Sequence, residues 1–529
     1  MTDINDKILL DDNLATDLIK SHKRNYKDLP ISFPTLLDNS NGEVKVNESN
    51  KVRVRFLLYP QHSEQFLLAS PKSNELDPVY EIMKLFMINY SLYFSHSEEI
   101  KRIVTEEYCQ GLETAIENND FAEFMFVIDK WNELMLNLSP NTAAVDSIRE
   151  SKEDINHEVR QYLSKEEIKE PTPENIKLST FYSEFMSEQV SPQYQIVKEE
   201  GDTPIERKEF VPSHPGEVEA PTNVLDIETE LKPDNYNAFF YKRLQEKTDI
   251  SRYAIQQILL RVYSRVVSTD SRKLRSYKAF TAEVYGELLP SFTSEVLEKV
   301  NLLPNQKFYD LGSGVGNTTF QAALEYGAAI SGGCELMNHA SKLTTLQEGL
   351  IQKHLAVFGI KPLTLDFALS QSFVDNERVR DVVLDCDVLI INNYLFDGQL
   401  NSDVGKLLYG IRPGTKIVSL RNFISPRYRA SGDTAFDYFK VEKHEMSDFL
   451  SVSWTANKVP YYISTVQEKI LPEYLGRDET PEDSNPSTPF SRAPSDDGLS
   501  SGELTPLLTT TDSDIAIKDF LAATDELSL

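Results

Sequence analysis

An α/β fold with a largely parallel sheet is predicted for the central part of this 529-residue chain, on three observations. The apolar run Lys307-Phe-Tyr-Asp310 passes directly into a glycine turn, Leu311-Gly-Ser-Gly-Val-Gly-Asn317. A second apolar run, after a helix-like interval, closes on Glu335. Beyond it, strand-like and helix-like periods alternate to about residue 470, which lays helices over the faces of a parallel sheet. Together these read as a Rossmann-like arrangement, in which a ligand sits at the carboxyl ends of the strands.

The spacing of the turn narrows the ligand. Its glycines stand at Gly312, Gly314 and Gly316, whereas a dinucleotide fingerprint places the third glycine one residue later to close around a pyrophosphate. The shorter form, opened by Asp310, suits an adenosine ligand with no phosphate to cradle, and S-adenosylmethionine is the common one. Such a triplet also occurs in ordinary tight turns; the flanking strands and the acid at Glu335 favour the cofactor reading.

In chain order, residues 1–50 are polar and turn-rich and are expected to be disordered, with His22, Lys23, Arg24 and Lys27 a short basic cluster on solvated surface. Residues 51–138 read as a mostly helical accessory module: a strand at Val52–Tyr59, then helical periods over Tyr80–Tyr93, Glu98–Glu117 and Phe121–Leu138. Residues 139–234, rich in Glu, Pro and Ser, read as an acidic linker with partial helical character. The second folded block runs over 235–472. Its first helix, Ile250–Val267, puts Ile250, Ala254, Ile258, Val262 and Val266 on one stripe and Arg252, Gln256 and Arg261 elsewhere. After it, Arg272, Lys273, Arg275 and Lys278 form a small basic cluster, read chiefly as solvated loop charge.

Past Gly316 the predicted elements are a helix at Thr318–Tyr326, a strand at Ala329–Leu336, a helix at Asn338–Phe358, strands at Leu363–Leu369 and Asp387–Asn392, a helix at Leu400–Gly410 and a strand at Thr415–Leu420. Two last strands, Phe449–Thr455 and Tyr461–Val466, are expected to pair across the Ala456–Pro460 turn. A βα alternation ending in an antiparallel hairpin is the layout of the seven-stranded, Rossmann-like class I methyltransferase sheet. Residues 473–529 are dominated by Pro, Ser, Thr, Asp and Glu and read as a disordered acidic tail.

Composition excludes several classes. No apolar stretch approaches the roughly 20 residues that span a bilayer, and the acidic Met-Thr-Asp-Ile-Asn-Asp start is unlike a signal peptide, so an intracellular protein without membrane contact is expected. Three cysteines without a Cys-x-x-Cys pair and eight scattered histidines predict neither disulfide framework nor metal site. The formal charge of −29 is uneven: residues 235–475 hold 27 basic against 26 acidic side chains, so the acid excess belongs to the flanks. A near-neutral block between acidic arms is compatible with a strongly basic macromolecular partner.

Four ordered motifs carry a resemblance. Tyr277-Lys-Ala-Phe-Thr-Ala-Glu-Val-Tyr-Gly-Glu-Leu288, the turn at 310–317, Ile391-Asn-Asn-Tyr-Leu-Phe396 and Ser451-Val-Ser-Trp-Thr455 resemble the disruptor-of-telomeric-silencing family of non-SET histone methyltransferases. The similarity runs from about Tyr236 to Leu471, and Ser372-Phe-Val-Asp-Asn376 with the 51–138 module looks more like fungal members than animal ones. The resemblance implies methylation of a lysine on the globular core of histone H3 in nucleosomes, a nuclear location, and roles in telomeric silencing, chromatin regulation and the DNA damage response. A monomer is expected, with the histone H4 tail and ubiquitinated H2B as further contacts.

Carried over by position, Tyr285, Gly286 and Glu287 would form a loop over the cofactor. Asp310 would sit beside its methionine moiety with Gly312 and Gly314 leaving room, Ser313, Gly316 and Asn317 would also bind the cofactor, Glu335 would hold the two ribose hydroxyls, and Phe373, with Ser372 beside it, would stack near the adenine. Asn392 would contact the methionine end and face the reaction centre, while Tyr394, Phe396, Trp454 and Tyr462 would line a channel for the acceptor lysine. No histidine or carboxylate in these motifs is placed as a general base, so loss of the lysine proton to water is the expected route. The alternatives left open are methylation of another protein or an RNA, and a chromatin scaffold with a vestigial site.

The chain also departs from the family pattern. Residues 140–234 are acidic where relatives carry a lysine-rich segment, Leu288 stands where animal relatives have threonine, and Arg421 where lysine is usual. DNA contact is therefore expected to be weak or indirect.

Overall fold

The computed structural model describes residues 10–29, 51–150 and 250–475, except 73–74, 96–97, 140, 269–273, 275–285, 448–451 and 454–456, together with short strands at 37–38, 45–46, 194–199 and 205–210. Most of the expected linker and tail, and the basic cluster at Arg272–Lys278, lie outside the described residues. Part of the segment expected to be disordered is ordered: Leu14–Ser21 is a helix. Its Thr16 donates to the Gln65 carbonyl (2.7 Å), and Ile19 packs with Tyr26, Leu67 and Leu76. One short apolar face, too brief to register as periodicity, is what docks it.

Eight helices frame the site: α1 (Pro78–Asn89), α2 (Phe121–Leu138), α3 (Arg252–Val266), α4 (Pro290–Lys299), α5 (Asn317–Glu325), α6 (Asn338–Val357), α7 (Glu377–Leu384) and α8 (Gly398–Leu407). Asp77, Asp120, Ser251, Asn376 and Asp397 cap five of them, each accepting from a backbone N–H of the first turn. Helices α4 and α7 were not anticipated from periodicity; α4 is announced by Pro290 at its first position and α7 by its Asn376 cap.

Seven strands make one sheet: β1 (Lys307–Leu311), β2 (Ile330–Glu335), β3 (Leu365–Leu369), β4 (Val388–Ile391), β5 (Lys416–Ser419), β6 (Phe439–Glu445) and β7 (Pro460–Val466). Their order is β3-β2-β1-β4-β5-β7-β6, the first five parallel and β7 antiparallel to both its neighbours. The chain winds outward from β1 to one side and then returns to β4 on the other, so a crevice opens beyond the carboxyl ends of β1 and β4. Strand β2 carries paired glycines because nothing larger fits. A Cβ on Gly332 would stand 2.2 Å from the Asp366 carbonyl oxygen, and one on Gly333 2.5 Å from the Ser313 Cβ.

The closing hairpin differs from expectation. The partner of β7 is β6, with Lys443 opposite Tyr462, and not 449–455; Val452 instead bridges Leu288. Strand β6 reads Phe-Lys-Val-Glu-Lys-His-Glu, a mostly exposed edge with little apolar alternation to detect. Its charges are those that blunt edge-to-edge pairing.

The accessory module is not a separate body. Phe86 stacks on Trp131 with ring centroids 4.1 Å apart, and this core runs on without a break through Ala254, Ile258 and Val262 of α3, Leu324 of α5 and Leu355 of α6. Arg261, expected off the apolar stripe, is fully buried. It pairs with Glu81 (3.0 Å) and Glu64, and Arg265 pairs with the same two acids, both at 2.6 Å. Lys84 adds a further contact to Glu81 at 2.9 Å. Burial alone would raise the two carboxyls, but the surrounding cations outweigh it and hold both below the ordinary range. Burial and the same two arginines depress His354 to about 3, so this histidine is neutral.

Candidate active site

Strand β1 delivers Asp310 and Leu311 to the crevice, and the chain then turns through three left-handed residues, Gly312 (φ +90°), Gly314 (+57°) and Gly316 (+88°). Only glycine adopts these angles without steric cost. At Gly312 a Cβ would meet nothing within 4 Å, so that backbone borders open space. At Gly316 it would lie 2.9 Å from the Phe320 ring. Gly316 therefore shapes the entry to α5 and does not line the site.

The turn is braced from β2 and α6. Gly312 and Ser313 N–H groups donate to the Cys334 carbonyl (2.9 and 3.0 Å), and the Gly314 N–H donates to Glu335 Oε2 (2.8 Å). From α6, Thr344 donates to the Gly314 carbonyl (3.0 Å) and Gln347 to that of Val315 (2.7 Å). Neither α6 residue was singled out from sequence, since their role depends on which face of α6 meets the turn.

The resulting cavity is about 270 Å³. One wall is the turn itself, with Asp310, Gly312, Ser313, Gly314 and Asn317; Glu335 closes it at the end of β2. Gly286 and Glu287 form a second wall, Ser372 and Phe373 a third, and Asn392 and Phe396 border it beyond β4. Leu288, Thr318, Leu336, Met337, Val374 and Leu400 also line it, and except for Leu288 and Val374, which fall in quoted motifs, their apolar or helix-start character gave no sign of this.

Two buried acids set the electrostatics. Asp310 accepts from the Thr318 hydroxyl through Oδ2, while its Oδ1 is buried with no partner; burial first, and Glu335 nearby, push its carboxyl up to about 7. Glu335 accepts from Gly314 and, through Oε1, from the Met337 N–H (2.6 Å). Burial raises it, and these backbone donors pull the other way. Ser313 Oγ is likewise buried without a partner. Unpaired polar atoms at this depth are costly unless a ligand completes them.

Adjacent asparagines divide their work. Asn393 is buried and ties the chain after β5, accepting from Leu420 and Arg421 N–H groups (3.0 and 2.8 Å) and donating to the Arg421 carbonyl (3.0 Å). That holds Asn392 at the cavity, where it donates to the Gly286 carbonyl at 3.4 Å. Phe396 lies with its ring 6.1 Å from that of Phe373, nearly parallel, and both line the same cavity. Tyr394 packs on the sheet beneath the Arg421 guanidinium (5.1 Å), and Tyr462 is half-buried on β7; both stand outside the cavity lining. Tyr285 and Trp454 lie outside the described residues. Among the described residues, no cluster of three or more His, Cys, Asp or Glu could hold a metal, and no helix is long and apolar enough to cross a membrane.

Residues 263–466, which contain this cavity, match the family model for the histone methylation protein DOT1. This segment is similar to the DOT1 family. Individual relatives extend the similarity beyond this segment. An H3 lysine-79 specific histone-lysine N-methyltransferase of Candida albicans is 64% identical over 97% of this chain and 38% of its own length. The protein of the same description from Debaryomyces hansenii is 56% identical over 89% of this chain and 43% of its own. One from Eremothecium gossypii is 42% identical over 48% of this chain and 44% of its own. The chain thus spans less than half the length of these three relatives. A solved RNA methyltransferase from Salinibacter ruber with S-adenosyl-L-homocysteine covers 35% of this chain at 16% identity and a TM-score of 0.24, a likeness too slight to bear on the site.

Proposed function

We propose that this chain moves methyl groups from S-adenosylmethionine to a lysine on the globular core of histone H3 in nucleosomes, with 235–472 as its catalytic domain. The observation that carries the reading is the position of the DOT1 match over a cavity whose buried polar atoms are incomplete. Asp310, with its unpartnered Oδ1, suits the ammonium of the cofactor's methionine end. Each Glu335 oxygen has a lone pair left after its backbone bond and so can accept from a ribose hydroxyl. Phe373 and Phe396 offer paired rings to a flat base.

Bound S-adenosylmethionine would supply an electrophilic methyl group on a sulfonium. The residues have to hold the acceptor nitrogen in line with it, and positioning of that kind is a large part of such a rate enhancement. Asn392, fixed by the buried Asn393 behind it, orients the methionine end. The acceptor lysine must arrive neutral from an ordinary pKa of about 10.4, and an apolar approach lowers that value. Tyr394, Trp454 and Tyr462 are assigned to that approach, as shaping groups and not as bases. The protein acts as a monomer in the nucleus, holding nucleosomes with weak or indirect DNA contact and with the H4 tail and ubiquitinated H2B as further partners.

The test supplies labelled cofactor together with nucleosomes, free histone octamer or RNA, and locates the label by mass spectrometry. Label on an H3 core lysine in nucleosomes is the expected result, and none there, or label on RNA alone, refutes the proposal. A Gly312→Arg variant, whose side chain enters the open space beside the turn, should label nothing.

A further inference from the structure

Helix α5 starts directly after the glycine turn, and its first turn holds two threonines in succession, both buried. Their hydroxyls go to different places. Thr319 donates to the Gly332 carbonyl of β2 (3.1 Å), which ties the helix to the sheet. Thr318 donates instead to Asp310 Oδ2, and it lines the cavity beside that acid. A threonine at a helix start needs no such partner, since its hydroxyl can bond to nearby backbone.

Asp310 has little other support. Near the end of β1 it stands between Gly333 of β2 and Ile390 of β4, and neither of these offers a side-chain donor. Its Oδ1 has no partner, so Thr318 is the one donor to this carboxyl among the described residues. The ionisable groups about it are Glu335 and Cys334 on β2, Tyr309 on its own strand and Glu287 in the second cavity wall. None of these is a cation that could offset the burial. A carboxylate this deeply buried owes its charged form to whatever hydrogen bonds it keeps, and Asp310 keeps one.

We propose that Thr318 is a positioning residue for the cofactor: its hydroxyl fixes the Asp310 carboxyl at the cavity wall and favours the charged form that a cationic ligand end requires. This rests on the S-adenosylmethionine reading above. Because burial pushes Asp310 up to about 7, the bond acts on a group balanced near half ionisation at neutral pH, where a small bias changes the competent fraction most.

The experiment titrates the full chain with S-adenosylmethionine by calorimetry at pH 6, 7, 8 and 9. The proteins are wild type, Thr318→Val, Thr318→Ala, Thr318→Ser, Asp310→Asn and Asp310→Asn with Thr318→Val, and ligand-free melting reports that each is folded. Thr318→Val keeps the shape and Thr318→Ala does without it, so one folded variant of the two suffices. Each variant is read as a ratio to wild type at the same pH, in which titration of the ligand's own amine cancels. Losing a hydrogen bond to a charged group should move the midpoint up by about one pH unit. Removal of the hydroxyl should therefore weaken binding about fivefold at pH 7 and less than about twofold at pH 9. Thr318→Ser, which keeps the donor, should follow the wild-type profile. In the Asp310→Asn background, Thr318→Val should add no pH-dependent loss. A loss that is equal at every pH, or wild-type affinity at pH 7 without the hydroxyl, overturns the proposal. Failure of the wild type to bind at any pH would instead overturn the cofactor reading, and this inference with it.

Discussion

Raising the pH from 6 to 8 is expected to tighten binding of S-adenosylmethionine about tenfold, through the single carboxyl of Asp310. Burial pushes that group up to about 7, and its Oδ1 lies in the cavity without a partner. At such a value roughly a tenth of the molecules carry the carboxylate at pH 6 and roughly nine-tenths at pH 8, and affinity for a cationic ligand end scales with the competent fraction. In the ligand-free protein the sign is reversed. The folded-state value lies above the unfolded one of about 3.9, so the native form holds the extra proton between the two, and this group's contribution to stability falls as pH rises from about 4 to 7. Calorimetric titrations at pH 6, 7 and 8 with wild type and Asp310→Asn check both. The variant, a fixed neutral side chain of the same shape, should bind weakly with little pH dependence and should melt no lower than wild type at pH 8. A wild-type slope that survives in Asp310→Asn would refute the reasoning, because the titrating group would then lie elsewhere.

Other outcomes follow from the geometry. Gly333→Ala drives a Cβ to within 2.5 Å of the Ser313 Cβ, so it should cost about 1–3 kcal/mol of stability and weaken cofactor binding together, seen by denaturation and calorimetry. Glu81→Gln leaves Arg261, Arg265 and Lys84 short of a buried counter-charge and should destabilise the fold by about 3–5 kcal/mol in urea. Because Glu64 and Glu81 sit below their unfolded values, their stabilisation is present above about pH 4.3 and is lost on acidification through the lower folded values, which an acid-unfolding curve on Glu81→Gln should show as a flattened transition. Tyr462→Phe should retain most turnover, well short of the roughly hundredfold loss that removing a general base would cause.

The parts of the site legible in the sequence are those whose requirement is local. The glycines at 312, 314 and 316 answer a backbone need, since each adopts a left-handed φ, and Asp310 and Glu335 stand at or one residue from the ends of strands that are buried along nearly their whole length. The helix Phe121–Leu138 is legible to the residue because its period and its Asp120 cap agree. Strand β6 was hidden because an exposed edge carries no apolar alternation, and nothing in the Phe396 motif reveals that its ring meets Phe373.

By itself, then, the amino-acid sequence determined the α/β order, the left-handed glycine turn and the acids at the strand ends beside it, because dihedral preference and hydrophobic period act over a few residues. Only the tertiary structure decided that Arg261 is buried against Glu81 and Glu64, residues 180 and 197 positions away, that Tyr263 reaches Glu287, and that the accessory module shares its core with the catalytic block. The reason is physical. A charge becomes buried, or a hydroxyl meets a carboxylate, through what long-range packing sets beside it, and such partners leave no periodic trace in the chain.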